Sequence, residues 1–293
     1  MTQWMLRAYA KVNLGLRVLH RRDDGYHELD TYFLQISLAD QLFFEKTGSA
    51  KLVFTCNWPE IPADQSNLCV RAYHLIAAKM GRELGLQLHL QKNVPAGGGL
   101  GGGSSDAAMT LMAINHIYRL GWSKKDLHQL ALQLGSDVSF FLEGGLCRGQ
   151  GRGEILSPLA SLPQFWILLI VPGIAVSTAS VYKNIKLGLT KSYRNSTFAL
   201  LNFVPFDGCD IELLGVNDLE EVVFARHPEL LAIKDKLQRA GALLANMTGS
   251  GAVVFGVFGS YEQAHQTQEE FRSEYRTIVA RPIKWGYDDV DLL

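Results

Sequence analysis

A chain of 293 residues is long enough for two lobes around one cleft, and 28 Lys and Arg against 29 Asp and Glu leave no net field to hold nucleic acid or an anionic membrane. The four cysteines, Cys56, Cys69, Cys147 and Cys209, form no C-x-x-C pair and have no His partners at zinc-finger spacing, which points to reduced, isolated thiols. The start MTQWMLRAYAKVN has no basic segment followed by an apolar run, and the longest wholly apolar stretch, Phe165 to Val171, is too short to span a bilayer, so an untargeted cytoplasmic protein is expected.

Apolar residues at every second position, Leu6, Ala8, Ala10, Val12, Leu14, Leu16 and Val18, predict a long half-buried strand. Side chains two apart share a face, so Lys11 and Asn13 project together on the side opposite that row. A tight turn at Asp24-Gly25 delivers Tyr26 and His27 just past its tip, and Leu34, Ile36 and Leu38 alternate as a second strand. Asn67 reads as the N-cap of a helix with Leu68, Ala72, Leu75 and Ile76 on one face and Gly81 as its stop, after which LQLHLQK returns to a period of two. The segment PAGGGLGGGSSDAAMTLMAINHIYRL is a glycine loop opening a helix in which Ala107, Leu111 and Ile114 share a face. Ser123, with Asp126 as capping partner, starts a further helix that ends at Gly135, and Asp137 falls immediately beyond that stop.

Phe165 to Val171 predicts a buried strand, Lys186 to Gly215 has little regular pattern and reads as a linker or insertion, and a lobe boundary is expected near residue 160. The last third alternates: Asp218 to Arg239 helical, Ala252 to Phe258 strand, Tyr261 to Tyr275 helical, Thr277 to Trp285 strand. No internal repeat or low-complexity tract interrupts it.

Six of the seven positions from Gly97 to Gly103 are glycine. Glycine loses more backbone freedom on folding than any other residue, so the run serves backbone geometry rather than packing. Without Cβ atoms, successive N–H groups can turn toward one point, and the helix that follows adds roughly half a positive charge at its N-terminus. The pattern is a phosphate cradle. It is not the P-loop, because no Lys stands before Ser104, and not the dinucleotide fingerprint, because no acidic residue ends a strand about twenty positions later. Ser104 and Ser105 can cap the helix, touch phosphate or hold Mg2+ through a hydroxyl. Thr248 to Ala252, T-G-S-G-A, is a second small-residue turn entering a strand, and on its residues alone it is equally a structural hairpin.

The segments AKVNLGLRVL, DDGYHEL, PAGGGLGGGSSDAA, LGSDVSFF and MTGSGAVVF, in that order and spanning residues 8 to 258, resemble the superfamily of galactokinase, homoserine kinase, mevalonate kinase and phosphomevalonate kinase. The resemblance implies an α+β, two-lobed fold: residues 1–160 as an N-terminal lobe with the phosphate loop, residues 161–293 as a C-terminal lobe completing the cleft. It implies ATP and Mg2+ as cosubstrates, with Pro95, Ala96, Gly97, Gly98, Gly99, Leu100, Gly101, Gly102, Gly103, Ser104 and Ser105 at the nucleotide. It also implies a catalytic pair at Lys11 and Asp137. Taken singly, these read as a solvated strand lysine and a turn residue. Joined to the glycine loop, they supply what phosphoryl transfer needs beyond positioning: a proton acceptor in Asp137, and in Lys11 a cation that keeps it ionised and polarises the acceptor hydroxyl.

Within the superfamily, the A-K-x-N-L strand joined to D-G-Y-H-E resembles the branch that phosphorylates the 2-hydroxyl of a cytidine-diphosphate-linked methylerythritol in early isoprenoid precursor synthesis. For that small-molecule acceptor the resemblance implies Asn13, Tyr26, His27, Thr178 and Tyr182. Aromatic faces can stack a flat base, and His27 with backbone groups can meet its hydrogen-bonding edge. A mevalonate-type substrate, or a non-catalytic nucleotide-binding role on the same fold, are the alternatives, and retention of the Tyr26–His27 pair and of Lys11 with Asp137 counts against them. Asn67 and Lys92 match positions near the adenine, although capping and solvation explain them as well. Asp106 stands where some relatives carry Asn, and Ser139 where Pro is common.

Overall fold

In a computed structural model describing residues 3–159, 162, 164–185 and 210–287, the N-terminal alternation forms β1 (Gln3–Arg21), paired antiparallel with β2 (His27–Lys46) across a turn that Gly25 closes at φ 86°. The other edge of β2 is shared end to end. β5 (Leu146–Gly151) pairs with residues 29–34 and is continued by β6 (Ile155–Pro158), while β4 (Leu86–Gln91) pairs with residues 41–46 and carries β3 (Leu52–Cys56) in parallel. A second, antiparallel sheet runs β10 (Arg276–Ala280), β7 (Trp166–Val171), β9 (Val254–Phe258), β8 (Leu244–Met247). Of the expected linker, residues 186–209 lie outside the described residues, as do Cys209 and the point of the expected lobe boundary.

The helices begin and end where local chemistry dictates. In α1 (Leu68–Met80) the Asn67 side chain accepts the Cys69 N–H, and Gly81 closes the helix at φ 65°. In α3 (Lys124–Leu134) Ser123 and Asp126 form the reciprocal capping box. The helix that follows the glycine loop, α2 (Gly102–Ile117), is buried on nearly every side, packed between α1, β1 and α4 (Ser136–Glu143).

Four readings change. Asp137 is not in a turn beyond a helix but in the first turn of α4, because Gly135 both closes α3 and precedes α4. Asp218 to Arg239 is two helices, α6 (Glu220–Phe224) and α7 (Pro228–Arg239), separated where Pro228 cannot continue the first and takes the opening position of the second. The helix from Tyr261, α8 (Tyr261–Glu269), stops before Tyr275, and the last strand stops at Ala280. The centre of β1, residues 10–16, is buried on both faces rather than one.

Both faces are covered because β1 runs past three cores in turn: Leu6 and Ala8 join the core around α1 and α2, Ala10, Val12 and Leu14 join a core with β7 and β9, and Leu16 and Val18 join a third with α7 and β8. Two register shifts fall along this stretch, between Tyr9 and Lys11, where β2 carries the extra residues, and between Asn13 and Gly15, where β1 carries one. Lys11 and Asn13 sit between the shifts, at the centre of the molecule.

Candidate active site

The glycine loop is bent by alternation. Gly97, Gly99 and Gly101 have φ of 70°, 79° and 69°, the left-handed region that costs an ordinary residue roughly 1–2 kcal/mol, and these three line a cavity of about 1100 Å3. Gly98 instead packs on Val253, and Leu100 is buried in the core as the loop's anchor. A Cβ on Gly99 would lie 2.1 Å from the Thr248 carbonyl oxygen. The loop continues into α2, whose N-cap is Gly101. Neither serine caps it: Ser104 faces the cavity from the first turn, whereas Ser105 turns inward and its hydroxyl is buried without a partner. Pro95 and Gly102 are buried, while Ala96 and Gly103 are exposed on the loop's flanks.

Lys11 reaches the same cavity from β1. Its backbone N–H donates to the Leu100 carbonyl at 2.9 Å, so strand and loop are tied directly. Its ammonium donates to Asn13 Oδ1 at 2.7 Å, lies 5.4 Å from the Phe33 ring centroid and stands 3.6 Å from Asp137 Oδ2. Burial lowers the Lys11 pKa, and the charge of Asp137 opposes that shift. Asp137 is one-third exposed at the opening turn of α4, where the helix dipole favours a carboxylate. The two charged groups therefore differ: an enclosed cation and an accessible anion.

Part of the cavity wall is aromatic. His27 and Tyr182 pair with ring centroids 5.3 Å apart, and Tyr26 lies at the mouth. Tyr182 and Thr178 come from α5 (Thr178–Asn184), capped by Ser177, and Thr178 Oγ1 hydrogen-bonds Ser250 Oγ at 2.7 Å. Burial, with Arg21 nearby, lowers the His27 pKa and favours the neutral ring, which keeps one donor and one acceptor. Burial and the charge of Asp137 raise that of Tyr182, keeping the phenol protonated. Every acceptor-side residue expected from the sequence lines this one cavity, though Asn13 is almost fully enclosed and spends its amide on Lys11, Thr31 and Thr248.

Residues 67–145 match the family model described as GHMP kinases N terminal domain, and residues 210–277 match GHMP kinases C terminal. A protein of Pelotomaculum thermopropionicum named 4-diphosphocytidyl-2-C-methyl-D-erythritol kinase is 40% identical over 275 residues, covering 94% of this chain and 96% of its own length. One of the same name from Syntrophomonas wolfei is 37% identical over 274 residues, with 94% and 96% covered. A crystal structure of 4-(cytidine 5'-diphospho)-2C-methyl-D-erythritol kinase matches with a TM-score of 0.77 at 34% identity, over 96% of this chain and 100% of that one. The chain belongs to the 4-diphosphocytidyl-2-C-methyl-D-erythritol kinase family.

As a GHMP kinase of α+β class it is a small-molecule phosphotransferase, with ATP as the general phosphate donor of its kind. Against the family pattern, Asp106 does not face the cavity of this kinase. It is buried with Lys92, whose ammonium also binds Asp40, and Lys92 is therefore enclosed rather than solvated. Ser139 is buried in α4 with an unpartnered hydroxyl, and Asp137 keeps its place without the usual proline. Sequence reasoning missed Arg152, whose guanidinium lies 4.7 Å over the Tyr26 ring, and the cavity-lining Arg21 and Lys183. Arg152 sits in a glycine-rich hairpin more than a hundred residues along the chain from the Tyr26 it covers, and no local pattern marks such a residue. The Thr248–Ala252 turn, which in similar kinases packs near the glycine loop, does lie against it here, with Thr248 Oγ1 donating to the Gly99 carbonyl at 3.2 Å.

Proposed function

We propose that this kinase transfers the terminal phosphate of ATP to the 2-hydroxyl of 4-diphosphocytidyl-2-C-methyl-D-erythritol, in early isoprenoid precursor synthesis by the methylerythritol phosphate route in the cytoplasm. The observation that carries the reading is one cavity lined by the glycine loop, by the Lys11–Asp137 pair and by the His27–Tyr182 pair. The base of the acceptor stacks on the aromatic pair, where neutral His27 offers a donor and an acceptor to its polar edge. Arg21, Arg152 and Lys183 set cations in the same cavity for the acceptor's diphosphate.

The loop's N–H groups and the α2 terminus hold the phosphates of ATP. Asp137, accessible beside Lys11, takes the proton of the attacking hydroxyl as the oxygen–phosphorus bond forms. Lys11, held by Asn13 beside Asp137, neutralises charge on the transferring group. Ser104 lines the cavity, and its hydroxyl would suit a Mg2+ that takes most of its ligands from phosphate and water; when bound, that ion would neutralise phosphate charge. Residues 1–160 thus carry the loop and the reacting pair, and residues 161–293 bring Thr178, Tyr182 and Ser250 to complete the cleft.

The test is steady-state turnover of ATP with the cytidine-linked acceptor and with mevalonate phosphates, on wild type and Asp137→Asn. Wild type should phosphorylate only the cytidine-linked acceptor, and Asp137→Asn should lose about 10²–10⁴-fold in kcat with ATP affinity nearly intact. Turnover of mevalonate phosphates alone would overturn the acceptor, and unchanged kcat would remove Asp137 from the chemistry.

A further inference from the structure

Thr248, which opens the T-G-S-G-A turn, has no role in the mechanism above, yet it touches both halves of the reacting machinery. Thr248 is fully buried. Its Oγ1 accepts the backbone N–H of Asn13 at 3.1 Å and has one proton for two acceptors, the Gly99 carbonyl at 3.2 Å and Asn13 Oδ1 at 3.4 Å. Asn13 Oδ1 is the atom that also takes the Lys11 ammonium, and Gly99 is the cavity-lining centre of the phosphate loop.

We infer that Thr248 is a positioning residue that sets the phosphate loop and the Lys11 ammonium in one geometry through a single shared hydroxyl. When the hydroxyl donates to Gly99, the carbonyl is fixed and, because the peptide is planar, so is the direction of the Leu100 N–H. Asn13 Oδ1 then keeps its lone pairs for Lys11. When it donates to Asn13 instead, the loop carbonyl is released and the ammonium gains a competitor.

The surroundings hold Thr248 still so that this choice is made in place. Asn217 Nδ2 donates to the Met247 carbonyl at 2.7 Å and the Gly249 carbonyl at 2.9 Å, one on each side of Thr248. The Thr248 N–H donates to Val253 and its carbonyl accepts from Gly251, both at 3.0 Å. The closeness of Gly99 to the Thr248 carbonyl is possible only without a Cβ, so the two small-residue turns are built to lie against each other.

The inference rests on the kinase reading for the roles of the loop and Lys11, but not on the identity of the acceptor. Thr248→Val keeps the shape and removes the hydroxyl; Thr248→Ser keeps the hydroxyl. The affinity of a non-hydrolysable ATP analogue is measured without acceptor, followed by kcat and both KM values with whichever acceptor wild type turns over. The valine variant should bind the analogue about 10-fold more weakly and lose about 30-fold or more in kcat, with acceptor KM within about twofold, and serine should restore both to within about threefold. A valine variant that merely melts lower, with analogue affinity and kcat near wild type, would overturn the inference, as would equal losses in valine and serine. Should the valine variant not fold, Thr248→Ala against Thr248→Ser supplies the same comparison. Failure of the cytidine-linked acceptor in wild type would sink the proposed substrate while leaving the analogue measurement to decide Thr248.

Discussion

Beneath the glycine loop, two carboxylates share one ammonium. Asp40 accepts from the Lys92 ammonium and, through its other oxygen, from the N–H groups of Asn93 at 2.6 Å and Val94 at 2.8 Å, the residues that lead into the loop; Asp106 accepts from the same ammonium at 3.0 Å after the loop has ended. The loop is clamped at both ends by one buried cluster whose charges do not balance, and the Oδ1 of Asp106 has no hydrogen-bond partner. Burial and the charge of Asp40 push the Asp106 pKa well up, against the pull of Lys92. A carboxyl whose pKa is higher folded than unfolded holds its proton longer in the native state, so stability from this group is full below the unfolded value near 4 and is lost as pH rises toward the folded one. Asp106→Asn removes that loss. The variant is expected to be at least as stable as wild type at neutral pH, with a flatter decline of Tm as pH rises above about 4, measured by thermal denaturation across a pH series. A variant much less stable at pH 7, with wild-type slope, would show that Asp106 is held there as an anion.

At the scale of elements, the glycine loop derives its shape from where it has no side chains. Gly99→Ala would combine left-handed strain of about 1–2 kcal/mol with a methyl group against a backbone carbonyl that cannot move without displacing the 248–251 turn. ATP KM should rise by about 10-fold or more with a lower Tm, and an ATP KM within twofold of wild type would show that the loop reshapes freely. This element was legible in the sequence because a glycine run before an apolar helix has few uses. So were the caps at Asn67, Gly81 and the Ser123–Asp126 box, all of which act within a few residues. The α4 helix was not legible, because Gly135 marks an end and a beginning at once, nor was β5, whose LCRGQG has no alternation and is a strand only because β2 offers it an edge. For the site, the residues of Lys11 and Asp137 could be named from motif resemblance. Their approach to 3.6 Å, and the bond from Thr248 to Gly99, belong to pairings across more than a hundred residues.

At the scale of the molecule, the two sheets divide the labour of the cleft, but they do not divide the folding. One strand, β1, supplies apolar residues to all three core clusters, and its five larger ones, Leu6, Val12, Leu14, Leu16 and Val18, are each at most 6% exposed. At about 1.5–3 kcal/mol apiece, an upper bound, their burial is on the order of 10 kcal/mol, comparable to the net stability of a typical protein. The chain also returns after β10. Residues 281–283 fill the gap that β5 and β4 leave on the edge of β2: the Arg281 carbonyl accepts from Ser37 at 2.9 Å and Ile283 donates to Gln35 at 3.0 Å, while the Trp285 N–H reaches the Gln35 side chain at 2.9 Å. A cut near residue 160 therefore strips β1 of the second-sheet strands that cover its centre and removes the segment that closes β2. The whole protein is expected to unfold in urea in one transition, coincident by far-UV circular dichroism and by tryptophan fluorescence, which reports from both sheets through Trp4 and Trp166. The isolated 1–160 fragment should show no cooperative transition and should bind a dye for exposed apolar surface, because Val12, Leu14 and Leu16 would face water. A cooperative melt in that fragment, or two separated transitions in the whole chain, would mean that the first sheet holds its own core and that β1 is a shared border rather than the common spine.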